Sequence, residues 1–315
     1  MSWLVYAFSG PVLWAISTHL DKYLVERYFK RSDVAVLLVF TAFIGVLTLP
    51  FIALYQPTIF SPRPGSIALI VASGILYMGA MLFYLRALQG EEASVVAPFF
   101  QASPLFAYVL AYAVLGETLS GRQLVGGALI VVGALTVSMR LAPFLPFPAG
   151  GGGKEGGKRG FKVRLAALML ACGFALALSS LIFKAFALTV EFWTTTFWLF
   201  VGQAIFGAAL FAVPSYRRQL AAVMRANTAA LATINGTNEL INLGGSLGNR
   251  YAMMFAPLSV VQAIGSTTTL FVFAFGVLIT VFFPRFSREQ LSLGDLVQKG
   301  SAALLVAAGV VLVTP

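Results

Sequence analysis

The sequence predicts an all-α integral membrane protein: ten transmembrane helices laid out as two inverted five-helix repeats around a central cavity. Three observations carry that prediction. Hydrophobic residues make up 59% of the 315-residue chain and charged residues only 10%, against about 25% charged in an average soluble domain. The apolar residues fall in runs of roughly 20, the length that crosses about 30 Å of hydrocarbon as a helix. Features of the first half also return in the second half in the same order. The alternating pattern of a membrane β-barrel is absent, so the spans are read as helices.

The spans run over about 3–27, 34–55, 66–88, 92–115, 122–139, 163–188, 192–213, 228–251, 256–282 and 295–313. No basic stretch precedes the first apolar run, so it reads as a retained helix rather than a cleaved signal peptide. The fourth span carries Pro98 and Pro104, which kink it and free backbone carbonyls for gating or for packing. Most connections are short. The exception is 142–162, APFLPFPAGGGGKEGGKRGFK, whose Pro and Gly content reads as a flexible link. It separates a first five-helix repeat, 1–141, from a second, 163–315.

Sliding one half along the other supports a duplication. WAISTHLDKYL (14–24) aligns with LALSSLIFKAF (176–186), matching Ser17 with Ser179 and Lys22 with Lys184, and Gly45 meets Gly207 at the same offset. ALQGEEASVVAPFFQASPLF (87–106) aligns with AMMFAPLSVVQAIGSTTTLF (252–271), and GETLSGRQLV (116–125) with REQLSLGDLV (288–297), pairing Glu117 with Glu289. An odd number of helices per copy makes the second enter the membrane from the opposite side, an architecture of secondary transporters.

At this level the chain resembles the drug/metabolite transporter superfamily, in particular its ten-helix EamA-type members. The residues that carry the likeness are Trp14 and Lys22 in the first span, Pro104 followed by Leu115-Gly116-Glu117 at the end of the fourth, and Gly126, Gly127 and Gly133 in the fifth. The resemblance implies a basket of helices around a cavity, moving small metabolites by alternating access; many relatives look like exporters of amino acids or other metabolites. The second copy departs from the pattern, with FFPRFSREQL (282–291) in place of Leu-Gly-Glu and Thr269 where Pro104 would repeat.

The eighth span is the most polar. Asn235, Glu239, Asn242, Ser246 and Asn249 are spaced 4, 3, 4, 3, which places them on one helical face, with Asn238 flanking. A charged side chain at mid-bilayer costs roughly 2.5–3.5 kcal/mol on insertion scales. Such a stripe faces either a wet cavity or the polar face of another helix, as interhelical glue. Glu239 is a candidate to bind an amine or to carry a coupling proton. The repeat alignment sets Gly74, Tyr77 and Tyr84 of the third span against Glu239, Asn242 and Asn249, an aromatic face for an amphipathic solute or ordinary core aromatics.

Lys22 and Lys184 sit toward the far ends of their helices. Each either snorkels to the interface or faces the cavity, capturing an anion or pairing with a carboxylate. His19, the only histidine, is a second candidate proton carrier. Gln101, Gln203 and Gln262 are lone amides in apolar spans, bonded to a neighbouring helix or touching solute. The candidate substrate-binding set is therefore Glu239, Asn235, Asn238, Asn242, Ser246, Tyr77, Tyr84, Lys22, Lys184, Gln262 and Trp14, with Glu239 and His19 for proton coupling.

Other chemistries find little support. GGKEGGKR (152–159) lacks the Ser/Thr of a phosphate loop and follows no strand. No Cys/His cluster offers a metal site, the single Cys172 makes no internal disulfide, and no cofactor is expected. The net charge of +10 lies mostly between spans, where a membrane surface rather than nucleic acid attracts it. The expected partners are thus a small-molecule substrate, the lipid bilayer and, if coupled, protons. Faces of small residues suit a homodimer or internal packing equally. The alternative function is a polytopic enzyme or lipid-handling protein with a catalytic stripe on the eighth span. Basic residues in the loops 1–2, 5–6, 7–8 and 9–10 place both termini outside by the positive-inside rule, whereas the family resemblance implies both inside.

Overall fold

The computed structural model describes residues 2–27, 33–90, 102–138, 155–282 and 293–313. These form eleven α-helices and no strand: α1 (Ser2–Arg27), α2 (Ala35–Tyr55), α3 (Pro64–Gly90), α4 (Ser103–Leu115), α5 (Gly121–Ser138), α6 (Glu155–Thr189), α7 (Phe192–Ala212), α8 (Pro214–Ala252), α9 (Leu258–Gly265), α10 (Thr268–Phe282) and α11 (Leu293–Val313). Among the described residues, five stretches are long and apolar enough to cross a membrane: Ala35–Tyr55, Pro64–Ala87, Ala167–Thr189, Phe192–Ala212 and Leu258–Leu278. Three shorter apolar helices accompany them, Ser103–Leu115, Gly121–Thr136 and Gly300–Val313. The chain is thus an all-helical membrane protein.

Three boundaries differ from the sequence expectation. α6 starts at Glu155, so 155–162 of the expected link are helical, while 142–154 lie outside the described residues. α8 starts at Pro214, well before the expected 228, because Pro at the first helical position satisfies its fixed φ and its missing donor. Its 39 residues rise about 1.5 Å each, far more than a bilayer needs, and its first turns carry Arg217, Arg218 and Arg225 outside the apolar stretch. The ninth span is not one helix. It breaks at Ser266–Thr267, where Thr267 N–H bonds back to Ile264 O (2.9 Å) in a tight turn and Thr269 Oγ1 donates to the Ser266 carbonyl (3.2 Å).

Four pairs of helices pack along one another across the chain, and each of these four runs antiparallel. Beside α2, the indole N–H of Trp198 in α7 donates to Ile59 O just past the C-terminal end of α2 (2.7 Å). At the other end of α2, Asp33 N–H donates to Gln219 Oε1 at the start of α8 (2.8 Å). Between those ends Gly45 lies against Gln203 and Gly207 against Ala42. α5 and α11 cross with Gly126 against Gly309 and Gln298 Nε2 donating to Thr136 O (2.5 Å). α3 lies along α6, tied by Ser179 Oγ to Ser73 O (2.8 Å) and Cys172 Sγ to Ala80 O (3.2 Å). α1 lies along α8, where Gly245 abuts Trp14 and the Tyr6 and Tyr251 rings meet edge-on at 4.8 Å. Small residues at these contacts let backbones approach, the usual source of helix association where lipid removes the hydrophobic drive.

Candidate functional site

The polar face of α8 is buried by its partners rather than by apolar residues alone. Glu239 is 7% exposed, and its Oε1 accepts a hydrogen bond from Thr41 Oγ1 of α2 (2.7 Å). Asn238 Nδ2 donates to Asp21 Oδ1 of α1 (2.6 Å). Asn235 is 1% exposed with neither side-chain polar atom partnered, and Asn249 Oδ1 is likewise buried without a donor. Asn242 and Ser246, between them, are partly buried. In this conformation the ends of the stripe and its carboxylate sit in helix–helix contact. Buried polar atoms left unpaired are rare in folded proteins and mark places where water or a ligand is accommodated.

A second polar centre joins the halves. Lys184 of α6 forms an ion pair with Glu117, and its Nζ also donates to Ala256 O (2.7 Å). The other Glu117 oxygen accepts from Leu258 N–H (2.8 Å), the first amide of α9. A carboxylate at a helix N-terminus meets unpaired amides and the positive end of the dipole. Gly116, at φ 65°, supplies the left-handed turn that ends α4 and swings Glu117 into place. A buried ion pair offsets its desolvation only when further hydrogen bonds complete it, and both partners have one here. The pair lines a cleft of about 440 Å³ with Leu115, Thr118, Met254 and Pro257.

The third centre is Arg250. It is 8% exposed and lies over three rings, Tyr77 (5.4 Å), Phe183 (5.5 Å) and Phe200 (5.9 Å), from α3, α6 and α7. Its Nη1 has no hydrogen-bond partner.

The remaining expected residues scatter. Tyr77 joins Arg250, and Tyr84 is half-buried on the same helix, α3. Trp14 packs on Gly245. Gln262 Nε2 donates to Ser180 Oγ (2.9 Å), and His19 Nε2 donates to Val272 O (3.0 Å), so both act as ties between helices. Gln203 is buried. Gln101 and the Lys22 side chain lie outside the described residues. Sequence reasoning did not select Asp21, Thr41, Glu117 or Arg250 as site residues. Glu117 had a visible sign, its pairing with Glu289 in the repeat. Arg250 had one too: it stands three turns from Glu239, on the same side of the helix.

Residues 1–139 match the EamA-like transporter family. The match is less than half of the chain and ends just after α5. That family is one of transporters. No curated protein matches the chain. Among 21 matching solved chains, one crystal structure, described only as that of a protein, aligns with 99% of this chain and 96% of its own at TM-score 0.65 and 15% identity. That likeness concerns the fold. It extends beyond the EamA-like stretch to both halves.

Proposed function

We infer that the protein is a secondary transporter in which two inverted five-helix repeats alternate access to a shared solute site. The observation that carries this reading is the antiparallel pairing. α2 and α7 hold equivalent places in the two repeats and run in opposite directions side by side, as do α5 and α11. α1 on α8 exchanges with α3 on α6 when the halves are swapped. The helix starts agree as well: Ser103 and Thr268 differ by 165, the offset that aligns 87–106 with 252–271. Inverted halves with polar groups at their seam are the layout that rocking-type transporters use.

The cargo is a small metabolite such as an amino acid or another amphipathic solute, and the direction is export across the plasma (inner) membrane. Glu239 is the candidate proton carrier. Its position between α8 of one half and Thr41 of the other lets protonation loosen a contact between the halves. The set around it is Asn235, Asn238, Asn242 and Ser246, with Trp14, Tyr77, Tyr84, Lys22, Lys184 and Gln262 on neighbouring helices.

The test is flux in proteoliposomes against a metabolite panel, with and without a pH gradient. Saturable movement of at least one solute, absent from protein-free vesicles, is expected. No movement of any solute in either direction would remove the reading.

A further inference from the structure

A guanidinium buried in the seam between two halves calls for an anion. Arg250 is more than nine-tenths buried, and Nη1 has no acceptor. Its described neighbours are rings: Tyr77 from the first half, Phe183 and Phe200 from the second. Leu243 and Leu247 of α8, and Met254 just past its end, pack into the apolar cluster that holds Phe183 and Phe200. Ring faces attract a cation, but they accept none of its directional N–H bonds. Burying an ion stays unfavourable until a counter-charge with hydrogen-bonding oxygens completes it.

The nearby charges do not supply one. Glu117 is taken by Lys184 and by Leu258 N–H. Glu239 shares the face of α8 with Arg250, but eleven residues place it about 16 Å away along the axis, and its Oε1 is held by Thr41. An α-amino acid, whose two charges are adjacent, cannot touch both, which narrows the cargo proposed above to amphipathic solutes that carry no ammonium group.

We propose that Arg250 receives the carboxylate of the transported solute, making the cargo a small organic monoanion with an apolar or aromatic body. This deepens the transporter reading and rests on it. A single unneutralised cation matches one negative charge, not the two of a phosphate monoester. The planar fork of Arg binds both oxygens of a carboxylate, a geometry Lys does not reproduce. The rings that hold the guanidinium also offer flat surface to the rest of the solute.

The experiment is equilibrium binding to the full chain in nanodiscs of zwitterionic lipid. The probes are phenylacetate, its neutral amide phenylacetamide, and phenyl phosphate. The wild type is expected to bind phenylacetate at least about tenfold more tightly than the amide, because a charged hydrogen-bonded pair is worth that much or more. Arg250→Gln should erase the preference and Arg250→Lys should keep part of it. Equal binding of acid and amide, no binding of the acid, or an undiminished preference in a folded Arg250→Gln would overturn the proposal. Tighter binding of phenyl phosphate would overturn the monoanion assignment. Displacement of phenylacetate by added anionic lipid would assign the site to a headgroup instead. The wild-type comparison of acid with amide stands even if Arg250→Gln does not fold. Flux in parallel vesicles separates the two readings. Arg250-dependent binding without flux keeps Arg250 as a carboxylate site and removes transport; flux of neutral solutes only keeps transport and overturns the carboxylate assignment.

Discussion

Glu239 and Arg250 lie on one face of α8, the carboxylate bonded to Thr41 of α2 and the guanidinium seated on Tyr77 of α3. Eleven residues turn the helix through slightly more than three full turns, so the two differ by only about 20° in azimuth. One helix of the second half thus presents an acid and a base, each to a different helix of the first half. Neither neutralises the other.

The Thr41–Glu239 bond predicts a stability difference. Thr41→Val leaves a buried carboxyl oxygen without its donor, a loss of about 1–3 kcal/mol. Thr41→Ser should restore most of it. The measurement is the unfolding midpoint in detergent for both variants. A Val variant as stable as the wild type would mean that the bond contributes nothing.

Glu239→Gln keeps an oxygen for Thr41 to donate to, so the variant should fold. It cannot titrate. If Glu239 carries the proton, solute accumulation driven by a pH gradient disappears, while solute counterflow without a gradient persists. Equal accumulation in wild type and variant would exclude Glu239 as the carrier.

The ion pair between the halves predicts non-additivity. Removing one partner of a buried pair typically costs about 3–5 kcal/mol because the other charge is left alone. Glu117→Gln and Lys184→Met should each fall toward that range, somewhat less for Glu117, whose side chain is 17% exposed. The double variant should recover part of the loss. A strictly additive double variant would show that the two do not interact.

Adjacent glycines in α5 predict opposite outcomes. A β-carbon on Gly126 would come within 2.7 Å of Gly309 O and 2.8 Å of Val313 Cγ1, whereas one on Gly127 meets nothing within 4 Å. Gly126→Ala should therefore destabilise by about 1–3 kcal/mol through overpacking against α11. Gly127→Ala should be neutral or gain up to about 1 kcal/mol of helix propensity. Thermal melts of the two proteins side by side decide this.

The helical class and the stripe on α8 were legible because both follow from local periodicity: runs long enough to cross a bilayer, and a 4, 3, 4, 3 spacing. The break at Ser266–Thr267 was not. Its residues are small and only mildly polar, so the apolar run reads straight through, and the turn is held by hydroxyls bonding to nearby carbonyls. The start of α8 at Pro214 was missed for the opposite reason, since helix continues where hydropathy stops. Partners such as Thr41 for Glu239 and Glu117 for Lys184 lie far away in sequence, and no spacing rule reaches them. Arg250 stands at the end of an apolar span, where a basic residue ordinarily marks the membrane surface, yet its side chain is held among rings.

The opposed threading of the two halves is most directly tested by labelling single cysteines at Thr58, between α2 and α3, and at Ser215, in the first turn of α8 just after α7 ends. Both positions are exposed, and the native Cys172 is buried. In sealed vesicles of uniform orientation, an impermeant maleimide should label one of the two at once and the other only after permeabilisation. Labelling of both from the same side would contradict the inverted arrangement and the transport mechanism built on it.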